Sequence, residues 1–170
     1  MPEVLRISAH ESLRIVRDEA SGLEVEATYE PGGAAPPAHL HPAQDEHFQV
    51  VAGTLHVELD GATHDLGAGD SIAIPRGSTH RMWNTGSEPA RALWRTEPAL
   101  RTAGWFRGLA ALQEAAERRG RHRADLLAFA VHARRHRDTF RLVTPFPGTG
   151  ALVGILAAAG RLSGRQRLLQ

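Results

Sequence analysis

Three histidines and two acids lie within nine residues of the sequence, in the stretch HLHPAQDEH that begins at residue 39. His39 and His41 are separated by one residue, so on a β-strand their side chains project from the same face, about 6–7 Å apart. The chain contains no cysteine, which leaves imidazole and carboxylate as the expected ligands for a transition metal. The stretch therefore predicts part of a metal site.

Glu46 is a candidate carboxylate ligand, although it lies five residues after His41. That spacing is the wrong parity for the same face of one uninterrupted strand. Pro42 has no backbone N–H and forces a turn or a sheet edge, so a new strand can begin near Glu46. On this new strand Glu46 and Phe48 would face inward and His47 would face outward.

A fourth candidate ligand comes from a later strand. His80 follows the segment Pro75-Arg76-Gly77, where proline fixes φ and glycine permits a tight turn just before the next strand. On that strand His80 and Met82 share one face.

The spacing of these residues resembles that of a known family. The two runs are Gly33-x5-His39-x-His41-x4-Glu46-x6-Gly53 and Gly69-x5-Pro75-x-Gly77-x2-His80-x3-Asn84. They reproduce, without gaps and in the right order, the two sequence motifs of the cupin superfamily, with fifteen residues between them. The resemblance covers roughly residues 20–97 and points to the single-domain, quercetinase-like, metal-binding cupins.

The resemblance implies a mainly β fold, an antiparallel jelly-roll barrel made of two sheets. It also implies that His39, His41, Glu46 and His80 bind one divalent transition metal per chain. Burying these groups unpaired and without metal would cost several kcal/mol each; a hydrogen-bonded polar core without metal is the alternative. The ligand types suit Fe(II), Mn(II), Ni(II), Zn(II) or Cu(II), and the spacing does not distinguish between them.

The expected substrate is a small organic molecule. The leading hypothesis is a dioxygenase or related oxygenase, in which a substrate oxygen occupies an open position on the metal and Glu46 shuttles a proton. Tyr29 is the second candidate catalytic residue, because a buried hydroxyl needs a polar partner and can orient substrate or donate a proton. Two alternatives stay open: a non-redox isomerase, cyclase or decarboxylase, as in polyketide cyclases, and a non-catalytic cupin that binds or senses a small molecule.

Strand periodicity predicts which further side chains face the barrel interior. Residues 23–30 alternate strictly between apolar and polar, the pattern of a half-buried strand with Tyr29 inward. Asp60-Gly61 predicts a hairpin turn. Further strands are predicted at 54–59, 63–66, 71–74, 80–84 and 90–96. The residues predicted to line the pocket, or else to form plain core, are Phe48, Met82 and Trp94, together with Tyr29.

Charge and periodicity both change near residue 98. Residues 1–100 hold seven arginines and fifteen acids, a balance of −8, whereas residues 101–170 hold thirteen arginines and four acids, a balance of +9. After Pro98 the apolar residues recur at helical spacing. We therefore predict a cupin β-barrel domain over residues 1–98 and a basic α-helical extension over residues 99–170.

Two helices are predicted in the extension. Their apolar positions are Trp105, Leu109, Leu112 and Ala116 in the first, and Leu126, Phe129, Ala133 and Phe140 in the second. Pro145 and Pro147 are expected to break the second helix, and Thr149 is positioned to cap a short third helix.

The extension is expected to pack its apolar stripe on the outside of the barrel, where the opposite net charges of the two segments attract each other. The less favoured alternative is a helix-turn-helix that binds DNA. Its DNA contacts would be Arg118, Arg119, Arg121 and Arg123. His132 and His136 lie four residues apart on a helix, but no carboxylate completes a metal set, so a solvated helix face is expected for both.

The N-terminal segment has acids where a signal peptide needs positive charge. The longest apolar run, residues 151–159, is far shorter than the ~20 residues that span a bilayer. We therefore expect a cytoplasmic protein with no membrane segment. A homodimer is also predicted, because the N-terminal strand leaves a sheet edge that needs covering.

Overall fold

The computed structural model describes residues 3–121, 124–144 and 148–169. Within them the chain forms eleven β-strands, three α-helices and one 3-10 helix. The strands are β1 (Val4–Arg6), β2 (Glu11–Glu19), β3 (Gly22–Tyr29), β4 (His39–Leu40), β5 (Asp45–Ala52), β6 (Thr54–Leu59), β7 (Ala62–Gly67), β8 (Ser71–Ile74), β9 (His80–Trp83), β10 (Ala90–Glu97) and β11 (Arg141–Leu142). The helices are α1 (Thr102–Glu117), α2 (Leu126–Arg135) and α3 (Thr149–Leu162), followed by the 3-10 helix at Arg165–Leu169.

The strands form two antiparallel sheets around one apolar core. The first sheet has the order β1-β2-β3-β10-β5-β8, and the second has the order β11-β4-β9-β6-β7. Side chains from both sheets meet in a single buried cluster. Many of the strands that lie side by side in these sheets are distant in the sequence, as in a jelly roll. The predicted mainly β jelly-roll barrel with a helical C-terminal region is confirmed.

Burial along β5 shows how the sequence builds the barrel wall. Glu46 and Phe48 are 3% and 1% exposed, whereas His47 between them faces solvent. β5 begins at Asp45 as a strand separate from β4, so the parity change predicted after His41 is present. This change lets the candidate carboxylate face the barrel interior.

Strand β2 was not predicted, and its pairing explains why. The register with β3 shifts between Ile15 and Arg17, and Val16 at the shift is 55% exposed. An extra residue in one strand of a pair reverses the inward face and interrupts the period of two. Leu13, before the shift, is fully buried in the core.

Gly53 allows a close approach between two parts of the barrel. Its φ is +72°, in the left-handed region that favours glycine. A Cβ at this position would lie 2.7 Å from the Cα of Ala90. The last glycine of the first motif therefore lets the turn between β5 and β6 lie against the start of β10.

The second predicted helix is shorter than expected. α2 ends at Arg135, and Phe140 lies beyond it, just before β11. β11 pairs with β4, with Leu142 opposite His39. The prediction for Phe140 was wrong because helical periodicity does not distinguish a helix from a following segment that buries an apolar residue in the same core.

The third helix begins at Thr149, with Gly148 in the N-cap position at φ +94°. Thr149, which was predicted to cap this helix, is therefore its first residue, and the cap is the residue before it. Pro145 and Pro147, which were predicted to break the second helix, lie outside the described residues. α3 is the most apolar of the three helices, yet no helix in the described ranges is long and apolar enough to cross a membrane.

The helical extension shares the core of the barrel. Trp105 and Phe106 of α1, together with Phe140, belong to the same buried cluster as the strand residues. The buried side chain of Gln44 fixes the start of α1, because its Nε2 donates to the backbone O of Pro98 at 2.7 Å and to Oγ1 of Thr102 at 2.7 Å. These contacts place α1 over one end of the barrel.

Candidate metal centre

The candidate histidine ligands come from neighbouring strands of one sheet. His39 on β4 lies directly opposite His80 on β9, and their ring centroids are 4.4 Å apart. The ring of His41, immediately after β4, lies 5.3 Å from each of them. One ring nitrogen of each histidine lies within 4.8 Å of the others.

Glu46 reaches this cluster from β5 in the facing sheet. Its Oε1 lies 3.4 Å from Nε2 of His41, and its Oε2 lies 3.1 Å from Nε2 of His80. The indole Nε1 of Trp94 donates to Oε1 at 3.1 Å, which fixes the orientation of the carboxylate. The structure thus brings together all four side chains that the sequence analysis selected.

The other ring nitrogen of each histidine faces a backbone carbonyl. The contacts are His39 Nδ1 to Pro37 O at 3.0 Å, His41 Nδ1 to Thr139 O at 2.6 Å, and His80 Nδ1 to Ser78 O at 3.2 Å. A carbonyl accepts but does not donate, so each neutral imidazole carries its proton on Nδ1 and presents the lone pair of Nε2 to the cluster. This arrangement orients histidine ligands in metal sites.

Two atoms at the centre of the cluster lack hydrogen-bond partners. These are Nε2 of His41 and Oε2 of Glu46, both buried and both without a hydrogen bond among the described residues. The contact of His41 Nε2 with Glu46 and the contact of Glu46 Oε2 with His80 have the distances of ion pairs, but they lack the geometry of hydrogen bonds. Unpaired buried polar atoms are costly, and one metal ion would engage both lone pairs. Three nitrogens, one oxygen and no sulfur fit a divalent transition metal.

The electrostatics of the cluster suit a cation. Burial raises the pKa of Glu46, but the charges of His41 and His80 outweigh burial and hold this pKa at about 2. Burial and the neighbouring histidines lower the pKa of His39 to about 3. Burial lowers the pKa of His80, but the adjacent carboxylate of Glu46 raises it by more, so the net shift is upward. Glu46 and His39 are thus in their metal-binding forms at neutral pH, while a proton competes with metal at His80.

The cluster opens into a cavity of about 240 Å³. Tyr29, Phe48, Met82 and Trp94, the four residues predicted to face the pocket, all line it. The rings of Phe48 and Trp94 stack with centroids 4.9 Å apart. The hydroxyl of Tyr29 donates to Sδ of Met82 at 3.5 Å, a weak acceptor. The cavity is therefore mostly apolar and aromatic, with the histidine cluster as a polar patch.

The helical extension supplies part of the cavity wall, which the sequence analysis did not predict. Trp105, Phe106 and Phe140 all line the cavity. Phe140 stacks on the ring of His39 at 4.9 Å and on that of Trp105 at 4.3 Å. The apolar stripe of the first helix was visible in the sequence, but a stripe does not reveal what covers it. The stripe was predicted to pack on the outside of the barrel; it packs against the barrel core, and its Trp105 also faces the pocket.

Glu11 is a second cavity residue that sequence reasoning missed. It opens β2, opposite Tyr29 in the register with β3, and it lines the cavity. Burial raises the pKa of its carboxyl group to about 7. The residue was missed because the strand that carries it was not predicted.

His132 is buried, and the expectation of a solvated face was wrong for this residue. It is 3% exposed, its ring stacks on that of Trp105 at 4.6 Å with 2° between the planes, and its Nε2 lies 2.9 Å from the backbone O of Trp105. Gly108 makes room for this, because a Cβ there would overlap the imidazole ring. His136, one turn later, is only partly buried.

Acidification is expected to destabilise the protein through His132. Burial lowers its pKa to about 4, despite the hydrogen bond to the backbone of Trp105, whereas an unfolded histidine has a pKa of ~6.5. Between these values the unfolded chain binds more protons, so the free energy of unfolding falls as the pH falls from about 6.5 to about 4. Urea unfolding of His132→Gln should show a shallower decrease than the wild type over this window. The exposed control His64→Gln should follow the wild type; equal slopes in all three proteins would contradict the assignment.

Comparison with known proteins identifies relatives of the barrel. A family model described as a cupin domain matches residues 25–95. The polyketide synthase CurC of Streptomyces cyaneus is 42% identical over 60 residues, which cover 35% of this chain and 39% of that protein. Oxidoreductase iacF of Pestalotiopsis fici is 43% identical over 53 residues, which cover 31% of this chain and 26% of that protein. The structure of KdgF from Halomonas sp. matches with a TM-score of 0.55 at 21% identity, over 59% of this chain and 90% of that one. The chain therefore spans well under half the length of these two curated relatives.

Two antiparallel sheets around an interior histidine cluster define the class of small jelly-roll barrels whose binding site lies inside the barrel. The family model matches residues 25–95 and the barrel shares its fold with the solved structure of KdgF, so this region of the chain is a cupin domain. The matched region includes His39, His41, Glu46 and His80. It leaves out the helical extension, so the aromatic wall contributed by α1 and by Phe140 lies outside the family match.

Proposed function

We propose that the chain is a metal-dependent oxygenase that acts on a small, flat aromatic molecule. The observation that carries this proposal is the convergence of three imidazole Nε2 atoms and one carboxylate on an aromatic cavity. The aromatic wall matches a planar substrate, because offset stacking and edge contacts between rings favour such a ligand. The names of relatives such as the oxidoreductase iacF are in keeping with redox chemistry.

The proposed ligands are His39, His41, Glu46 and His80, and the metal would be Fe(II), Mn(II), Ni(II), Zn(II) or Cu(II). Such an ion supplies Lewis acidity and, when it is redox-active, electron transfer to dioxygen. The carboxylate of Glu46, oriented by Trp94, holds or moves a proton next to the substrate. The Tyr29 hydroxyl, whose hydrogen-bond partner among the described residues is the Met82 sulfur, is available to orient a substrate oxygen or to donate a proton. The apolar wall excludes water from the reacting atoms.

A second candidate function is non-redox catalysis at the same site, with the metal as a Lewis acid for cyclisation, isomerisation or decarboxylation. The observation that favours it is the 42% identity to a segment of a protein named polyketide synthase. An aromatic cavity also suits a flat cyclic substrate of a non-redox reaction, so it is compatible with both candidates. A non-catalytic cupin that binds a small molecule is the third outcome.

Oxygen consumption separates these functions. Protein loaded with Fe(II), and separately with Zn(II), would be incubated with a panel of flat phenols that includes a flavonol and 2-naphthol, while dissolved oxygen and the ring absorbance are followed. The proposed oxygenase consumes oxygen in step with substrate loss, and only with the redox-active ion. Substrate conversion without oxygen uptake supports cyclase or isomerase chemistry, and binding without conversion supports a binding protein. Chelator-treated protein is the control.

We also propose that the protein forms a homodimer through the edge of the first sheet, where β1 is the outermost strand. The outer edge of β1 has no strand partner among the described residues, and such an edge offers backbone groups to a second chain. Light scattering at the working concentration should give twice the mass of 18.4 kDa per chain. A monomer under these conditions would contradict this proposal.

A further inference from the structure

The cavity has a second polar position besides the histidine cluster, and it is formed by Glu11. Glu11 and Leu13 share one face of β2, and Leu13 is fully buried in the core. The side chain of Glu11 therefore points into the barrel. The residue is half-buried and lines the cavity, so its accessible surface includes the cavity.

The surroundings of Glu11 provide no counter-charge. The adjacent strand β3 presents Tyr29, and α1 presents the apolar side chains of Phe106 and Leu109 to the same cavity. The other titratable groups of the cavity wall are Tyr29 and the three histidines of the cluster. Burial alone accounts for the raised pKa of Glu11, and in the part of the chain that the structure describes its carboxylate has no ion-pair partner. A carboxyl group in an apolar cavity without a partner is a candidate acid or base.

Tyr29 connects the two polar positions. Burial, followed by the charges of Glu11 and Glu46, raises the pKa of Tyr29 well above its usual value. Both carboxylates are thus within electrostatic range of this one hydroxyl. A planar molecule in the cavity would have the histidine cluster on one side, Glu11 on another, and aromatic rings on its faces.

We propose that Glu11 is a catalytic acid–base residue of this cavity, and that the substrate is a flat phenol with one hydroxyl group directed at Glu11. In the base step the phenol O–H bond breaks, its electron pair stays on the phenol oxygen, and the proton moves to a carboxylate oxygen of Glu11. The proton returns to the product or to water in the reverse step. The involvement of the metal in this reaction rests on the function proposed above, whereas recognition of the hydroxyl by Glu11 does not.

The test compares the binding of 2-naphthol with that of its methyl ether, 2-methoxynaphthalene, by calorimetry between pH 6 and pH 8. The two probes share the aromatic rings, and a methyl group in the ether replaces the hydroxyl hydrogen of 2-naphthol, which stays protonated over this range. A hydrogen bond to an ionised carboxylate favours the phenol by ~10-fold or more. In the wild type this preference should therefore grow with pH as Glu11 ionises. In Glu11→Gln it should drop about 10-fold at pH 8 and should no longer depend on pH.

The matched control is Glu19→Gln, which changes an exposed glutamate at the far end of the same strand. It should keep the preference and the pH dependence of the wild type. If Glu11→Gln also keeps both, or if the preference of the wild type does not change with pH, the assignment of Glu11 is overturned. A merely structural role for Glu11 would weaken the binding of both probes equally and leave their ratio unchanged, which would also overturn it.

Metal content measured on the same samples separates this proposal from the proposed function. Wild-type protein that holds no metal but discriminates between the probes through Glu11 would refute the metal-dependent function and support the role of Glu11. Metal-loaded protein whose discrimination is lost on chelation and persists in Glu11→Gln would show that the hydroxyl binds at the metal. That result would overturn the role of Glu11 and leave the proposed function standing.

Discussion

Replacing His80 or His39 with alanine is expected to abolish stoichiometric metal binding. Each change removes one of three imidazole ligands that lie together at the cavity, and the loss of His80 also leaves the buried Glu46 with one partner fewer. Removing an outer-shell partner of a metal ligand weakens metal affinity by up to ~100-fold. Loss of a ligand itself should weaken metal affinity by at least that factor. Metal content after dialysis should fall from about one ion per chain to a small fraction of that.

The matched control is His47→Ala. His47 is adjacent to Glu46 on β5 but faces solvent, so its loss should leave the metal content unchanged. Circular dichroism and thermal melting of each variant in the presence of chelator show whether the barrel has folded. A folded His39→Ala or His80→Ala protein that keeps about one metal per chain would contradict the ligand assignment.

Gly108→Ala and Gly104→Ala are expected to have opposite effects on stability, although both replace a glycine on α1. At Gly108 a Cβ would overlap the ring of His132, which is itself held between Trp105 and the rest of the core. Overpacking of this kind costs ~1–3 kcal/mol. At the exposed Gly104 a Cβ would be 3.5 Å from Nε2 of His136, an ordinary contact. There the change should stabilise the helix by ~0.5–1 kcal/mol.

Urea unfolding monitored by tryptophan fluorescence measures both changes in the free energy of unfolding. Because Trp105 lines the cavity, Gly108→Ala should also weaken the binding of aromatic probes, whereas Gly104→Ala should not. Equal effects of the two substitutions on stability would show that α1 does not pack on α2 through His132 in the way described.

The barrel could be predicted from the sequence because the patterns that indicate its strands and turns lie within short stretches of residues. Alternation along β3 and β5, the Asp60-Gly61 turn and the two spaced motifs each lie within a short window of residues. The inward position of Glu46 followed from Pro42 and from strand parity alone. Where a local irregularity breaks the pattern, as at the register shift near Val16, the strand was missed, and with it Glu11.

The contribution of the helical extension to the candidate metal centre could not be predicted from short stretches of sequence. The carbonyl of Thr139 that faces Nδ1 of His41 is separated from it by 98 residues in sequence, and a backbone atom carries no signature of residue type. The stacking of Phe140 on His39 likewise depends on where β11 pairs. Periodicity identified apolar faces on the helices, but tertiary packing decided that these faces would complete the cavity.

The long-range contacts give the extension a direct connection to the candidate metal centre. β11 extends the sheet that carries His39, and the preceding residues orient His41 and cover His39. Residues 99–170 are therefore proposed to be an integral part of the binding site. The region matched by the family model would supply the ligands, and the extension would shape the space in which a substrate is held.

The most direct test of the central claim is metal quantification by inductively coupled plasma mass spectrometry. The protein would be expressed without a metal-affinity tag, purified without chelator, and analysed beside the His80→Ala variant. The account predicts about one divalent transition metal ion per wild-type chain, with the variant retaining little or none. Wild-type protein that stays free of metal even after incubation with Fe(II), Mn(II), Ni(II), Zn(II) and Cu(II) would contradict it.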